Sequence, residues 1–245
     1  MAIAFVQGPA AVQGDDVSSI SATFASTTAD DNLIVACSTN WFSDPPETHT
    51  ITDEASNTWF EAITQTGDIT PGGNEDLRAN IAYAYNITGT TTHFVTCTPS
   101  GVSDFCLAIN EYSGVEKDSD PQDFQSGASV EFDTNVDAGA LDPGAASHLY
   151  IAVMTYAATE TTITKSLVGQ VQRQEIESLA ICAISVSDVI GTGSKNLGFN
   201  LLVENRAAVC CATFIIDQAE AASAVPALDE GMLVGGMMPL SGGMG

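Results

Sequence analysis

Basic residues are nearly missing from this chain. Six Lys and Arg (Arg78, Lys117, Lys165, Arg173, Lys195 and Arg206) stand against 31 Asp and Glu in 245 residues, giving a formal net charge of -25. Binding phosphates needs clustered Lys and Arg, so direct contact with DNA or RNA is excluded. Acidity of this degree keeps a chain soluble by self-repulsion, or suits it to salty surroundings that screen the repulsion. Under either reading stability rises with salt. The opening MAIAFVQGPAAVQGDD has no basic stretch and no long apolar run. The expectation is therefore neither a secretory signal nor a membrane span, and synthesis in a cytoplasm.

Signatures of catalysis are equally scarce. No GxGxxG, P-loop or Gly-x-Ser-x-Gly pattern occurs, and His49, His93 and His148 lie in or beside strand-like runs. Paired carboxylates carry no signal in so acidic a chain, because any two of 31 can converge. The expectation is no enzyme, no cofactor and no metal. The six cysteines, Cys37, Cys97, Cys106, Cys182, Cys210 and Cys211, show no CxxC spacing, and most sit in apolar runs such as LIVACS and LAICAI. They read as buried free thiols, ahead of a disulfide or a zinc site. Asn86-Ile87-Thr88 has the form of a glycosylation acceptor, a reading that lapses without a secretory signal.

What the chain does have is Thr, Ser, Val, Ala and Ile in short apolar runs between Gly, Asn, Asp and Pro clusters, with 44% hydrophobic residues overall. That pattern predicts an all-β fold, a jelly-roll-like β-sandwich. Strands are expected at 19–24, 33–39, 48–53, 60–66, 78–85, 93–98, 105–112, 129–133, 149–156, 167–173, 178–186, 196–202 and 207–216. A short helix is expected at 217–224. Three pairs of segments echo one another in the same order. DNLIVAC (31–37) echoes SHLYIAV (147–153), AYAYNITGT (82–90) echoes ISVSDVIGT (184–192), and VSDFCLAI (102–109) echoes RAAVCCAT (206–213). A body over 1–218 is therefore expected, with halves at 1–116 and 128–218 if the echoes are a true repeat. One jelly roll and two stacked sandwiches both remain open. The joint VEKDSDPQDFQSGAS (115–129) reads as an acidic linker or a crossover loop. Its Asp118, Ser119, Asp120 and Asp123 lack the glycine and glutamate of a calcium-binding EF-hand loop, so a solvated loop is the first reading there.

Three motifs lie in the first half: ITDEASNTWFEA (51–62), IAYAYNITGTTTHFVTCT (81–98) and LAINEYSGV (107–115). Their patterns T-D-x-x-x-N-T-aromatic, Y-x-x-N-x-x-G-x-T-T-x-x-V and E-Y-S-G-V resemble a loosely characterised group of β-sandwich proteins. Members occur among bacterial-virus virion proteins and bacterial surface repeats. The resemblance covers roughly 31–115, and it implies a scaffold and a setting rather than a reaction.

Two further features bear on function. Trp41-Phe42 and Trp59-Phe60, flanked by Asp44, Glu47 and Asn57, can form an aromatic platform for sugars, or can equally fill the core. The last residues, EGMLVGGMMPLSGGMG, have no charge after Glu230 and hold four of the six methionines. A segment of adaptable Met side chains on a glycine-rich backbone suits docking against a partner surface. The expected assembly arm is 219–245, acting through Met232, Leu233, Val234, Met237, Met238, Leu240 and Met244. Taken together, the expectation is a virion structural protein: a capsid decoration or cement subunit, made in the host cytoplasm and carried on the virion surface. Its expected partners are the major capsid protein and copies of itself, with no nucleic acid and no membrane. A carbohydrate-binding adhesin or receptor-binding module is the alternative, with Trp41 and Trp59 as its glycan platform. A self-assembling extracellular filament subunit is the third reading.

Overall fold

The computed structural model describes residues 2–43, 48–68, 75–156, 163–165, 167–176 and 183–217. No helix occurs among them; the protein is all-β, built from three antiparallel sheets. The strands are β1 (Ala4–Gln7), β2 (Val12–Val17), β3 (Ile20–Thr23), β4 (Leu33–Ser43), β5 (His49–Asp53), β6 (Phe60–Asp68), β7 (Glu75–Ala84), β8 (Phe94–Pro99), β9 (Ser103–Ser113), β10 (Gln122–Leu141), β11 (His148–Tyr156), β12 (Ile163–Lys165), β13 (Val171–Ile176), β14 (Ile184–Gly191) and β15 (Lys195–Ile215). The first sheet runs β1-β9-β4-β7-β6, with β2 also on β9. The second runs β10-β15-β11-β14-β13, with β12 on β15. The third is β3-β8-β5.

Alternation along the central strands explains the layering, because successive side chains leave a strand on opposite faces. On β4, Leu33, Val35 and Cys37 point into a core shared with Leu149, Ile151 and Val153 of β11. Ile34 and Ala36 point the other way, into a second core with Ala22, Ile51, Val95 and Cys97 of the small sheet. Both faces are covered, so β4 reads as an unbroken apolar run. Strand β11 is buried at all nine positions, and Tyr150, Ala152 and Met154 enter a third core with Val136, Leu197 and Phe199.

That third core exists because β10 and β15 each bend and serve two layers. Their register passes from Val130↔Ala207 through Asp133↔Asn205 to Asn135↔Asn200, so β15 spends extra residues at the corner. Leu202, at that bulge, is 72% exposed. Bulges of this kind bend and twist a strand pair. Beyond the corner, β12 joins at Ile163↔Leu201 and completes the folded-back layer.

The same connections therefore occur twice. In the first half β2 pairs β9 and β3 pairs β8, while β5 closes the small layer and β6 and β7 extend the large one. In the second half the two ends of β10 pair the two ends of β15, with β12, β13 and β14 in the corresponding places. The three sequence echoes fall on β4 and β11, β7 and β14, and β9 and β15. With the first taken as the reference, pairing against β4 and β11 displaces the other two. Val35 faces Tyr83 and Ile151 faces Asp188, so Tyr83 corresponds to Asp188 rather than to Ser185. Cys37 faces Ala108 and Val153 faces Cys210, so Ala108, not Cys106, corresponds to Cys210.

Several expectations need correction. The acidic joint 115–129 is not a single loop. Strand β10 begins at Gln122, on an outer edge, with Gln122↔Phe214 and Ser126↔Cys211 pairing, and leaves Asp123 and Gln125 exposed. The strand expected at 167–173 starts only at Val171. Residues 167–170 instead turn through a Gln170 N–H to Leu167 C=O bond of 3.2 Å, leaving Val168 98% exposed. The expected strand 129–133 is the middle of a twenty-residue strand, and those at 196–202 and 207–216 are one. Strands β1, β2 and β12 had no clear apolar signal. Asp217 is not helical. The rest of the expected helix and the expected arm, Met232, Leu233, Val234, Met237, Met238, Leu240 and Met244 included, lie outside the described residues, as does Cys182.

Candidate functional site

The first motif, ITDEASNTWFEA, folds around one carboxylate. Asp53 ends β5 with its side chain closed to solvent. It accepts hydrogen bonds from Asn57 N–H (3.0 Å), Asn57 Nδ2 (3.0 Å) and Trp59 Nε1 (3.1 Å). His93 Nε2 stands 3.3 Å from Asp53 Oδ2, off the line of a good hydrogen bond. Burial pushes the Asp53 carboxyl up, but the adjacent His93 imidazole and the bonds from Asn57 and Trp59 outweigh it and bring it down to about 2. Thr28 Oγ1 lies 2.8 Å from His93 Nδ1, so hydroxyl, imidazole and carboxylate stand in a row. That order is the one a nucleophilic relay uses. Here Thr28 is 2% and His93 0% exposed, so the row ties loop 24–32 to β5 and β8 and admits no substrate.

The second motif supplies the opposite wall. Asn57 Oδ1 accepts from Thr88 N–H (2.9 Å), clamping the 54–58 turn against the 86–89 turn. Ser56 and Asn86 hold left-handed backbone, with φ of 59° and 50°. For residues other than glycine this is strained geometry, and it is characteristic of turns built for a purpose. Gly89 is required by packing, since a Cβ there would lie 2.3 Å from Thr28 O. Between the two turns lies an open groove of about 360 Å³, lined by Ser56, Asn57, Thr58, Phe60, Tyr85 and Asn86. Phe60, 37% exposed, stacks on Tyr83 and Tyr85 with ring centroids 5.6 Å apart in each case.

On the other side of edge strand β6, again touching Phe60, lies a second hollow of about 220 Å³ lined by His49, Trp59, Glu61 and Asn80 among others. Its base is a polar network filling one end of the space between the first and third sheets. His49 bonds Ser38 Oγ through Nδ1 (2.8 Å) and Asn40 Oδ1 through Nε2 (2.9 Å). Asn80 donates to Thr64 Oγ1 (2.7 Å) and Glu61 Oε2 (3.1 Å), and Arg78 donates to Thr64 Oγ1 (3.1 Å). Burial, aided by the Arg78 charge, holds His49 down at about 3, so its ring is neutral at ordinary pH. Burial lifts Cys97 to about 12 against the opposing pull of Ser38 and Arg78. Burial also raises Cys37, Cys210 and Cys211. These thiols stay protonated at neutral pH and do not act as nucleophiles. All five described cysteines are buried and free.

The third motif, EYSGV, is an anchor. Glu111, fully buried, accepts from Gln7 Nε2 (2.7 Å), Ala29 N–H (2.9 Å) and Asn32 Nδ2 (2.6 Å), which holds β1 and the loop before β4. Tyr112 crosses to the second half. Gly114, at φ 74°, lets the backbone pass where a Cβ would sit 2.5 Å from Ala2 O. Val115 then bridges to Ile216.

The two tryptophans do not share a platform. Trp41 packs against the core between the two large sheets, while Trp59 packs on the opposite face of the first sheet. Their places follow from alternation along β4 and from the Asp53 bond. Asp44 and Glu47 lie outside the described residues, and of the Phe42 side chain nothing is described. Exposed Phe60 stacks instead with half-buried Tyr85, and sequence reading placed neither Tyr85 nor Asn86 beside Phe60 because they join it only through β6–β7 pairing. The acidic joint does not converge on an ion. Asp120 accepts from Tyr83 Oη (2.6 Å) and Asp123 faces His148 (3.2 Å). Among the described residues no group of three or more His, Cys, Asp or Glu is placed to hold a metal.

Comparison with protein-family profiles, curated proteins and solved structures returns no match. The resemblance expected from the three motifs gains no support there, and their Asp53, Asn57, Trp59 and Glu111 have structural tasks in the first half.

Proposed function

We propose that the protein is a structural subunit of a bacterial-virus particle, a decoration or cement protein. Its body is a pair of jelly-roll-like sandwiches, and its segment 219–245 is an assembly arm. The observation that carries this reading is the repeated order of strands. In the first half the chain crosses back and forth between a large and a small layer, from β2 to β3, β4 and β5 and again from β7 to β8 and β9, and in the second half the bent strands β10 and β15 serve two layers of one sheet. Such crossing supports a jelly-roll-like path, an architecture of capsid and lectin domains. The buried polar groups of the first half hold loops together, which supports a scaffold. The net charge of -25 supports a subunit that stays dispersed until a specific contact forms.

On this reading the arm docks Met232, Leu233, Val234, Met237, Met238, Leu240 and Met244 into a copy of the chain or into the major capsid protein. Each apolar side chain buried is worth about 1.5 to 3 kcal/mol. The test is electron microscopy and particle co-sedimentation of the full-length chain beside one ending at Gln218. The reading expects ordered oligomers or particle retention only with the arm. Identical behaviour of the two chains contradicts it.

A further inference from the structure

We infer that the edge of the first sheet around Phe60 is a binding site for a neutral oligosaccharide, whose chain crosses β6 with the Phe60 ring as its central stacking surface. Four observations carry this. First, the larger groove is lined by hydroxyls, amides and aromatic rings, with no charged side chain among its six lining residues, in a chain with 31 acidic ones. That chemistry matches a neutral polyol, which offers C–H faces to rings and hydroxyls to amides. Second, the side chains of Ser56, Thr58 and Asn86 are exposed and make no bond within the described protein, whereas the neighbouring Asn57 is fully engaged. The free groups face the groove and the engaged one holds its walls.

Third, the walls are set in advance. The Asp53 and Thr88 bonds to Asn57 fix two turns whose Ser56 and Asn86 are left-handed, so little ordering accompanies binding. Fourth, Phe60 borders both hollows. A ligand longer than one sugar continues from the groove of about 360 Å³ into that of about 220 Å³. There Glu61, with 55% of its side chain exposed, offers an acceptor. Volumes of about 300 Å³ and above are usual for small-molecule sites, so the larger groove holds the first sugar and the smaller serves as the extension. This site differs from a Trp41–Trp59 platform and does not depend on an assembly role.

The test is calorimetric and NMR titration of the full chain with cellohexaose, maltohexaose and chitohexaose. Saturable binding of at least one is expected, with shifts confined to residues 54–61, 80–82 and 85–88. Phe60→Ala is expected to weaken it tenfold or more. Thr58→Val, close in shape, and Asn86→Gly, suited to the positive φ, are each expected to weaken it several-fold, while Val168→Ser in a distant turn leaves it unchanged. No binding of any of the three hexaoses overturns the inference. So does binding that survives Phe60→Ala and Thr58→Val in folded protein, which would leave a sugar-binding protein whose site lies elsewhere.

Discussion

Tyr112 on β9 donates a hydrogen bond of 2.8 Å to Asp188 on β14, across the seam between the two halves. Register fixes the counterparts. Leu33 faces Tyr112 and Leu149 faces Phe214, so Phe214 corresponds to Tyr112 as Tyr83 corresponds to Asp188. Phe214 and Tyr83 meet edge to face, with centroids 5.2 Å apart. The same contact is thus made twice with the halves exchanged, which is how a two-fold interface is built, here within one chain. One copy is polar and the other aromatic.

Loss of the polar copy should loosen the seam. Tyr112→Phe keeps the ring and removes the donor, leaving buried Asp188 with its Arg173 bond of 2.7 Å. A loss of about 1 to 3 kcal/mol is expected in urea unfolding, the range for a buried acceptor deprived of one partner. No change in the midpoint would mean that the seam does not rely on this bond.

Glu111 should be the costlier position. Glu111→Ala strands three donors, from Gln7, Ala29 and Asn32. The expected loss is about 3 kcal/mol or more, with faster amide exchange in β1 and at 26–32 than elsewhere. Uniform exchange across the chain would contradict the anchoring role.

Acid should destabilise the protein in two steps of the same sign. His49 stays neutral in the fold down to about 3, whereas the unfolded chain protonates it below about 6.5. Stability therefore falls as pH drops through that interval. Asp53 stays charged to about 2 against an ordinary value near 3.8, so its contribution is whole above about 4 and is lost as pH falls toward 2. His49→Gln is expected to flatten the limb above pH 4 and leave the lower one. The check is the urea midpoint measured against pH for both proteins.

Salt should act in the opposite direction. Screening shortens from about 10 Å at ~0.1 M to about 3 Å at ~1 M, and a net charge of -25 repels itself less in the folded state as that happens. The melting temperature should rise with sodium chloride. A flat or falling curve would show that the charges are already balanced locally.

The strands with apolar runs were legible in the sequence because both faces of β4, β9 and β11 are covered. Edge strands were not. β1 and β2 alternate half-buried and exposed residues, and Gln122–Gln125 of β10 looks like linker until Thr213 and Phe214 are opposite it. The echo between halves was visible at the level of strands, yet two of its three registers were displaced because alternating small apolar residues match equally well after a short slip. At the candidate site, Asn57, Trp59 and Phe60 stood out in one motif. Tyr85 did not, and Asn86 stood out only in a separate motif, since only the pairing of Phe60 with Tyr83 brings the second turn beside the first.

The central claim is that a self-contained acidic body assembles through its C-terminal segment. Native mass spectrometry of the full chain and of a chain ending at Gln218, each at low and high salt, addresses it most directly. The account predicts a defined oligomer for the full chain, strengthened by salt, and a folded monomer for the shorter one. A full chain that stays monomeric at every salt concentration, or a shorter chain that forms the same oligomer, would contradict it.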